Sequence, residues 1–228
     1  MCFMKNPQKI KIQKLIADSG FCSRRAAELL ISEGRVYVNG KKAGIGDRYT
    51  YVDKIRIDND SINLNNRFHQ SSERQVFLMN KQLGEVCSKK DEKGRKSVFD
   101  RLPKIKSGRW IMVGRLDINT TGLLIFTNDG EYANYLMHPK NNIKRVYRVK
   151  IQGILTLQHI QNLKNGVLLF DGVSRFDTVE QIKKTDKNSV IEVSTTSGKN
   201  RIVRRLLESQ GKTVLRLKRT IYGPFVLD

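Results

Sequence analysis

Residues 59–73, Asn-Asp-Ser-Ile-Asn-Leu-Asn-Asn-Arg-Phe-His-Gln-Ser-Ser-Glu, carry neither the two-residue alternation of a strand nor the 3.6-residue stripe of a helix. A run so polar cannot build a core, and it reads as a linker. The 228-residue chain must therefore fold around two cores, one over residues 9–58 and a larger one over residues 74–228.

The first segment reads as helix, helix, hairpin. A helix from about Lys11 to Ser19 puts Ile12, Leu15 and Ile16 on one stripe, and Gly20 stops it. A second opens behind Ser23, a good N-cap, carries Ala26, Ala27, Leu29 and Leu30 on its apolar stripe, and ends before Gly34. Arg24 and Arg25 fall in its first turn, where positive charge opposes the helix dipole, so solvent or a bound phosphate must compensate. Val36-Tyr37-Val38-Asn39-Gly40-Lys41-Lys42 is strand, tight turn, strand, because Asn-Gly supplies the positive φ angles of a type I′ hairpin. Lys54-Ile55-Arg56-Ile57-Asp58 adds a short alternating strand.

In the larger segment, apolar runs predict strands at 75–79, 110–113, 122–127, 144–151, 190–195 and 213–218, and helices at 130–137, 155–164 and 200–209. The mixture predicts an α+β fold with a mainly antiparallel sheet. No glycine fingerprint for nucleotide phosphates or dinucleotides occurs, and no cofactor is expected.

Charge narrows the partner. The chain has 43 Lys and Arg against 22 Asp and Glu, a net charge of +21, and such a field attracts a polyanion. No basic amphipathic helix with an aromatic edge is present, which favours nucleic acid over an anionic membrane. No window approaches the roughly 18 consecutive apolar residues of a membrane helix, and the N-terminus lacks the apolar centre of a signal peptide. Cys2, Cys22 and Cys87 are scattered, with neither metal-ligand spacing nor a disulfide framework. That pattern suits a reducing cytoplasm.

The stretch richest in chemistry is Trp110-Ile-Met-Val-Gly114-Arg115-Leu116-Asp117-Ile-Asn119-Thr120-Thr121-Gly122, followed by Leu-Leu-Ile-Phe. Two apolar strands flank a polar turn that presents Asp117 beside Arg115. A carboxylate bordered by a cation stays ionised and can act as nucleophile or base, although an Asp in a turn equally suits a structural role. Asp117, Asn119, Thr121 and Gly122 mimic the start of a calcium loop, but its last ligand would be Asn128 instead of Glu, so metal binding is not expected. His69, His138 and His159 lie in no triad context, and Asp129 reads as a turn residue.

Two further stretches carry charge in a pattern. In Ser197-Gly198-Lys199-Asn200-Arg201-Ile202-Val203-Arg204-Arg205-Leu206-Leu207, the apolar residues form one helical stripe and leave Arg201, Arg204 and Arg205 largely on the remaining surface. Clustered arginines pair with carboxylates or phosphates bidentately. In Ile143-Lys144-Arg145-Val146-Tyr147-Arg148-Val149-Lys150-Ile151, alternation places Tyr147, Val149 and Ile151 on one strand face. Tyr147 fits a core position as well as a base-stacking one.

Two resemblances join these pieces. Asp18-Ser-Gly-Phe-Cys-Ser-Arg24-Arg25-Ala, then Glu33-Gly-Arg35-Val-Tyr-Val-Asn-Gly40, resembles the S4 RNA-binding module. That likeness implies a basic face of Arg24, Arg25, Arg35, Lys41 and Lys42 that grips the RNA backbone. Gly114-Arg115-Leu116-Asp117 with Thr120-Xaa-Gly-Leu-Leu, then Lys144-Arg145-Xaa-Tyr147, then Gly198-Lys-Asn-Arg201-Xaa-Val-Arg204-Arg205, resembles the RsuA/RluB/RluF class of pseudouridine synthases. Leu136-Met-His-Pro139 and the arginine stretch look most like the RluB-type branch that acts on large-subunit ribosomal RNA.

The class resemblance implies roles. Asp117 matches the catalytic aspartate, Tyr147 the tyrosine that stacks on the base, and Arg204 the basic residue paired with the aspartate. Arg115 matches the arginine that holds the RNA open, and Leu217 a residue bordering the base. Lys199, Arg201 and Arg205 would add RNA contacts. Lys81-Gln82 stands where Lys-Pro is usual, a departure expected to lie far from the chemistry. The resemblance implies a cofactor-free enzyme acting on ribosomal RNA or an assembly particle, and a monomer is the default expectation. The rivals are a non-catalytic ribosome-assembly factor, and a synthase for small-subunit ribosomal RNA or tRNA.

Overall fold

The structure is a computed structural model that describes residues 9–62, 64, 73–89, 91–105 and 108–227. It divides into two compact units. One holds the residues up to Arg74 together with Lys104–Trp110, and the other holds Gln75–Pro103 and everything from Ile111 onward.

The N-terminal unit contains β1 (Ile10–Lys11), α1 (Ile12–Asp18), α2 (Arg24–Ser32), β2 (Val36–Val38), β3 (Lys41–Lys42), β4 (Arg48–Tyr49), β5 (Ile55–Ile57) and β6 (Asp60–Ile62). Ser23 caps α2 by accepting from the Ala26 amide at 3.2 Å. The sheet runs β3-β2-β5-β6, and β1 pairs separately with β4. Ile12, Leu15 and Ile16 pack with Ala27, Ile31, Val36, Val38, Ile55 and Ile57 in one buried cluster, so the first helical stripe is the one read from the sequence, whereas α2 packs through Ala27, Leu30 and Ile31 and leaves Leu29 59% exposed. Asn39 and Gly40 have φ of 50° and 81°, as the Asn-Gly turn requires.

The polar run 59–73 differs from its reading as linker at its first residues. Asp58 takes a positive φ of 49°, the chain reverses, and β6 pairs with β5 through Ile57–Asp60 and Ile55–Ile62. Leu64 is buried in the same core. Residues 63 and 65–72 of that run lie outside the described residues.

The C-terminal unit contains β7 (Val76–Lys81), β8 (Ile111–Val113), β9 (Thr121–Thr127), α3 (Gly130–Met137), β10 (Arg145–Gln152), α4 (Leu157–Asn165), β11 (Val167–Leu169), β12 (Gly172–Ser174), β13 (Thr178–Lys184), β14 (Asn188–Thr195), α5 (Ile202–Glu208), β15 (Val214–Tyr222) and β16 (Phe225–Val226). Its main sheet runs β13-β14-β10-β15-β9-β7, with β8 on β9 and β16 on β15. Every pairing in it is antiparallel except β9 with β15, which is parallel through Thr121–Lys218 and Gly122–Arg219. The α+β, mainly antiparallel architecture read from the sequence is the one observed. The hairpin β11–β12 and the edge strands β13 and β16 have no counterpart in that reading, because their apolar residues are too few or too exposed to give a pattern.

β9 organises this unit. Leu123, Leu124, Ile125 and Phe126 are fully buried, as expected of a strand covered on both faces. β7 lines one edge, while β15 and β8 share the other. Gly122 makes the crossover possible. A Cβ there would lie 2.2 Å from the Arg219 carbonyl oxygen and 2.8 Å from its amide nitrogen, and the residue has a φ of 102°. Only glycine lets the two backbones approach so closely.

Candidate active site

Asp117 sits in the loop between β8 and β9. Its carbonyl accepts from the Thr120 amide at 3.0 Å, closing a tight turn at the mouth of the crossover. The Asp117 side chain is 34% exposed, and its Oδ2 lies 3.8 Å from an Arg201 Nη. Among the described residues no hydrogen bond engages the carboxylate, so its lone pairs remain free for chemistry.

The loop itself is held firmly from below by Lys81. This lysine ends β7 opposite Gly122 and is completely buried. Its Nζ donates to the carbonyls of Thr120 at 2.9 Å, Gln82 at 3.1 Å and Ile118 at 3.4 Å. The Gly84 amide adds a bond to Ile118 O at 3.0 Å. Burial pushes the lysine pKa down, while Cys87, Glu85 and Asp117 oppose that push. The expectation that Lys81 lies far from the chemistry is therefore corrected: antiparallel pairing of β7 with β9 brings it directly beneath the Asp117 loop. Cys87 joins the same underside, receiving the Leu116 amide at 3.5 Å, and burial raises its thiol pKa.

Arg204 supports the loop from another side. Its guanidinium donates to Asn119 O at 2.9 Å and Val214 O at 3.4 Å. It is 7% exposed, which corrects its placement on the helix surface: the side chain turns inward to satisfy carbonyls that β15 and the loop leave open. Burial lowers its pKa, Arg201 lowers it further, and Asp117 and Glu208 oppose the change. Asp117 thus meets two arginines in different ways. Arg201 is at ion-pair distance, and Arg204 braces the backbone while acting on the carboxylate through its charge. Arg201 precedes α5 with a left-handed φ of 49°.

Tyr147 lies on the same sheet row. In register, Val193, Tyr147, Arg219, Gly122 and Lys81 stand side by side across β14, β10, β15, β9 and β7. Residues opposite one another on adjacent strands share a face, so the tyrosine is set in the row that ends beneath the Asp117 loop. Tyr147 and Leu217 are both buried, and Leu217 pairs with Val149 on the neighbouring row. Arg219 donates to Leu123 O at 2.9 Å, and Arg219 and Arg145 both lie over the Tyr222 ring, at 4.9 and 4.6 Å. The sequence reading missed Lys81, Arg219 and Tyr222.

The remaining cations divide into free and engaged. Arg115 is exposed next to Asp117. Lys199 donates to Asp171 O at 3.0 Å and Ser174 Oγ at 2.9 Å, and Arg205 donates to Asp171 Oδ2 at 2.9 Å. That hydrogen bond is the first cause of a lowered Asp171 pKa; burial opposes it, and the charges of Arg205 and Lys199 lower it further. In the N-terminal unit Arg24, Arg25, Lys41 and Lys42 are exposed. Arg35 is instead held by Asp58, at 2.8 and 2.6 Å, and by Glu33 at 2.9 Å. Among the described residues, no cluster of His, Cys, Asp and Glu could hold a metal ion, and no helix is long and apolar enough to cross a membrane.

Comparison with known proteins bears on the family and the fold. Residues 75–209 match the RNA pseudouridylate synthase family and residues 10–50 the S4 domain. The chain is 47% identical over 220 residues to a ribosomal large subunit pseudouridine synthase B of Pseudomonas aeruginosa, a match covering 95% of this chain and 56% of that protein. It is 47% identical over 219 residues to the protein of the same description in Vibrio cholerae, covering 96% of this chain and 68% of that one. A crystal structure of a pseudouridylate synthase shares the fold, with a TM-score of 0.63 at 24% identity over 96% of this chain and 91% of the other. The synthase match over residues 75–209, more than half of the chain, together with 47% identity to the Vibrio cholerae protein, places the chain in the RNA pseudouridylate synthase family.

Proposed function

We propose that this protein converts a specific uridine of large-subunit ribosomal RNA to pseudouridine, with Asp117 as the essential carboxylate. The reaction is an isomerisation. The N1–C1′ bond breaks, the uracil turns, a C5–C1′ bond forms, and the proton lost from C5 is balanced by one gained at N1, so no redox partner is required. The observation that carries this reading is the state of Asp117, half-exposed, free of hydrogen bonds among the described residues, and mounted on a loop fixed by Lys81 and Arg204. Preorganised groups of this kind lower a barrier without reorganising during the reaction.

The target uridine must leave its stack, which costs a few kcal/mol. Tyr147 would offset part of that cost, since stacking on an aromatic ring contributes roughly 1–3 kcal/mol. Arg115, exposed next to the carboxylate, would hold the opened strand, and Leu217 would border the base. The net charge of +21 supplies attraction to RNA. The S4-like region would add backbone contacts through Arg24, Arg25, Lys41 and Lys42, and the domain division proposed is S4-like region, connecting run and synthase domain. A monomer acting in the cytoplasm, on free ribosomal RNA or an assembly particle, completes the reading.

The test is pseudouridine formation in unmodified large-subunit ribosomal RNA by the wild type and by Asp117→Asn. Product from the wild type alone supports the proposal. Absence of product on large-subunit RNA, small-subunit RNA, tRNA and assembly particles, with RNA binding intact, would replace the enzyme with a non-catalytic RNA-binding factor.

A further inference from the structure

The synthase match spans residues 75–209, yet Lys104–Trp110 packs with the N-terminal unit. The joint is a close backbone approach. Gly20 has a φ of 88°, and a Cβ on it would lie 2.7 Å from Gly108 Cα. This contact sets Arg109 beside the turn between α1 and α2, at Coulombic range of Arg24, Cys22 and Asp18. Among the described residues no hydrogen bond or ion pair engages the Arg109 guanidinium, and its Nε is fully buried without a partner. Asp18 does not fill that role, because its Oδ2 accepts from the Tyr51 hydroxyl at 3.1 Å. Arg24 is exposed, and Phe21 between the two segments is 46% exposed.

Two guanidinium groups held near each other repel, and a partly buried one with unsatisfied donors is costly. Burial lowers the Arg109 pKa first, Arg24 adds to it, and Cys22 and Asp18 oppose it. An anion accepting from Arg24 and from the Nη groups of Arg109 offsets the repulsion and gives the unpaired guanidinium a partner. The matching chemistry is a tetrahedral phosphodiester, which takes planar guanidinium donors in pairs. Arg35, read from the sequence as part of the basic face, is already saturated by Asp58 and Glu33, so the free donors on this unit lie elsewhere.

We propose that Arg109 joins Arg24 in a clamp for a backbone phosphate of the RNA, completing the S4-like surface with a residue from the synthase segment. The proposal rests on the reading of RNA as substrate, but not on catalysis, since binding alone reports it.

The experiment is the affinity of the full chain for a large-subunit ribosomal RNA fragment across a salt series, for wild type, Arg109→Gln and Arg109→Lys. Loss of one phosphate contact should weaken binding roughly tenfold and make the slope of log K against log salt shallower by about one. Arg109→Lys keeps the charge and should keep the slope, with a smaller loss of affinity from the missing fork of donors. A slope unchanged in Arg109→Gln overturns the clamp. If that variant does not fold, labelling of the wild type by an arginine-selective dicarbonyl, read by mass spectrometry, decides the matter. Protection of Arg109 by RNA supports the clamp, and equal labelling with and without RNA refutes it. Failure of pseudouridine formation by a wild type that binds RNA with the expected slope would remove the enzymatic reading alone.

Discussion

Asp117 and Asp171 both meet arginines from the start of α5, and they are held in opposite ways. Asp171 is saturated: Arg205 donates to its carboxylate at 2.9 Å, and Lys199 reaches both its carbonyl and, at 3.6 Å, its side chain. It pins the tip of the β11–β12 hairpin to the helix. Asp117 faces Arg201 at 3.8 Å and takes no hydrogen bond among the described residues. One pair uses its carboxylate to fix chain, and the other leaves the carboxylate without a hydrogen bond among the described residues. The difference teaches that proximity to arginine does not by itself set an acid apart: Asp171 and Asp117 both have it, and they differ in whether hydrogen bonds occupy the carboxylate.

Four substitutions test that contrast. Asp117→Asn should lower product formation by on the order of 10³-fold or more while leaving RNA affinity nearly unchanged, read by single-turnover kinetics and filter binding. A comparable loss of activity in Asp171→Asn would erase the distinction. Lys81→Met removes the donors that hold Ile118, Thr120 and Gln82. A loop displaced by about 1 Å should cost roughly 10²-fold in turnover, with kcat falling more than KM rises. Arg201→Gln should have a smaller effect, about tenfold, because it takes away charge near Asp117 without releasing the loop. Equal losses from Arg201→Gln and Lys81→Met would mean that the ion pair, rather than the brace, keeps the carboxylate in place.

The smallest effect is expected at Asp171. Its pKa lies below the ordinary carboxylate value, so its contribution is present at neutral pH and persists as pH falls to the unfolded value. It is lost as pH falls through the lowered folded value. Hydrogen exchange in residues 166–174 should accelerate in that acid window for the wild type and be fast already at neutral pH in Asp171→Asn, with little change in melting temperature. Slow exchange in the variant would show that the hairpin is held by something other than the Asp171 latch.

Much of the fold is legible in the chain because its signals are local. Ser23 as a cap, Asn39-Gly40 as a turn, and the apolar run of β9 each act through neighbours in sequence. The strands that escaped are those without local signal. β6 lies within the polar run 59–73 and forms because Asp58 reverses the chain against β5. β13 offers few buried residues and is recruited by pairing with β14. At the site, Asp117, Tyr147 and Arg204 could be chosen only through family resemblance, since a turn aspartate and a strand tyrosine are common in structural roles.

What the sequence determined by itself was the set of elements whose periodicity and turn chemistry leave one choice, and the attraction to polyanions. Tertiary structure alone decided which cations serve which acid. Lys81 and Asp117 are far apart in sequence and come together only because β7 pairs with β9 at Gly122. Arg204 turns inward because the Asn119 and Val214 carbonyls need donors. Arg109 leaves the synthase segment because Gly20 and Gly108 permit contact between two backbones. Charge is written along the chain, but hydrogen-bond satisfaction depends on what the folded backbone leaves unpaired, and that is a property of pairing at a distance.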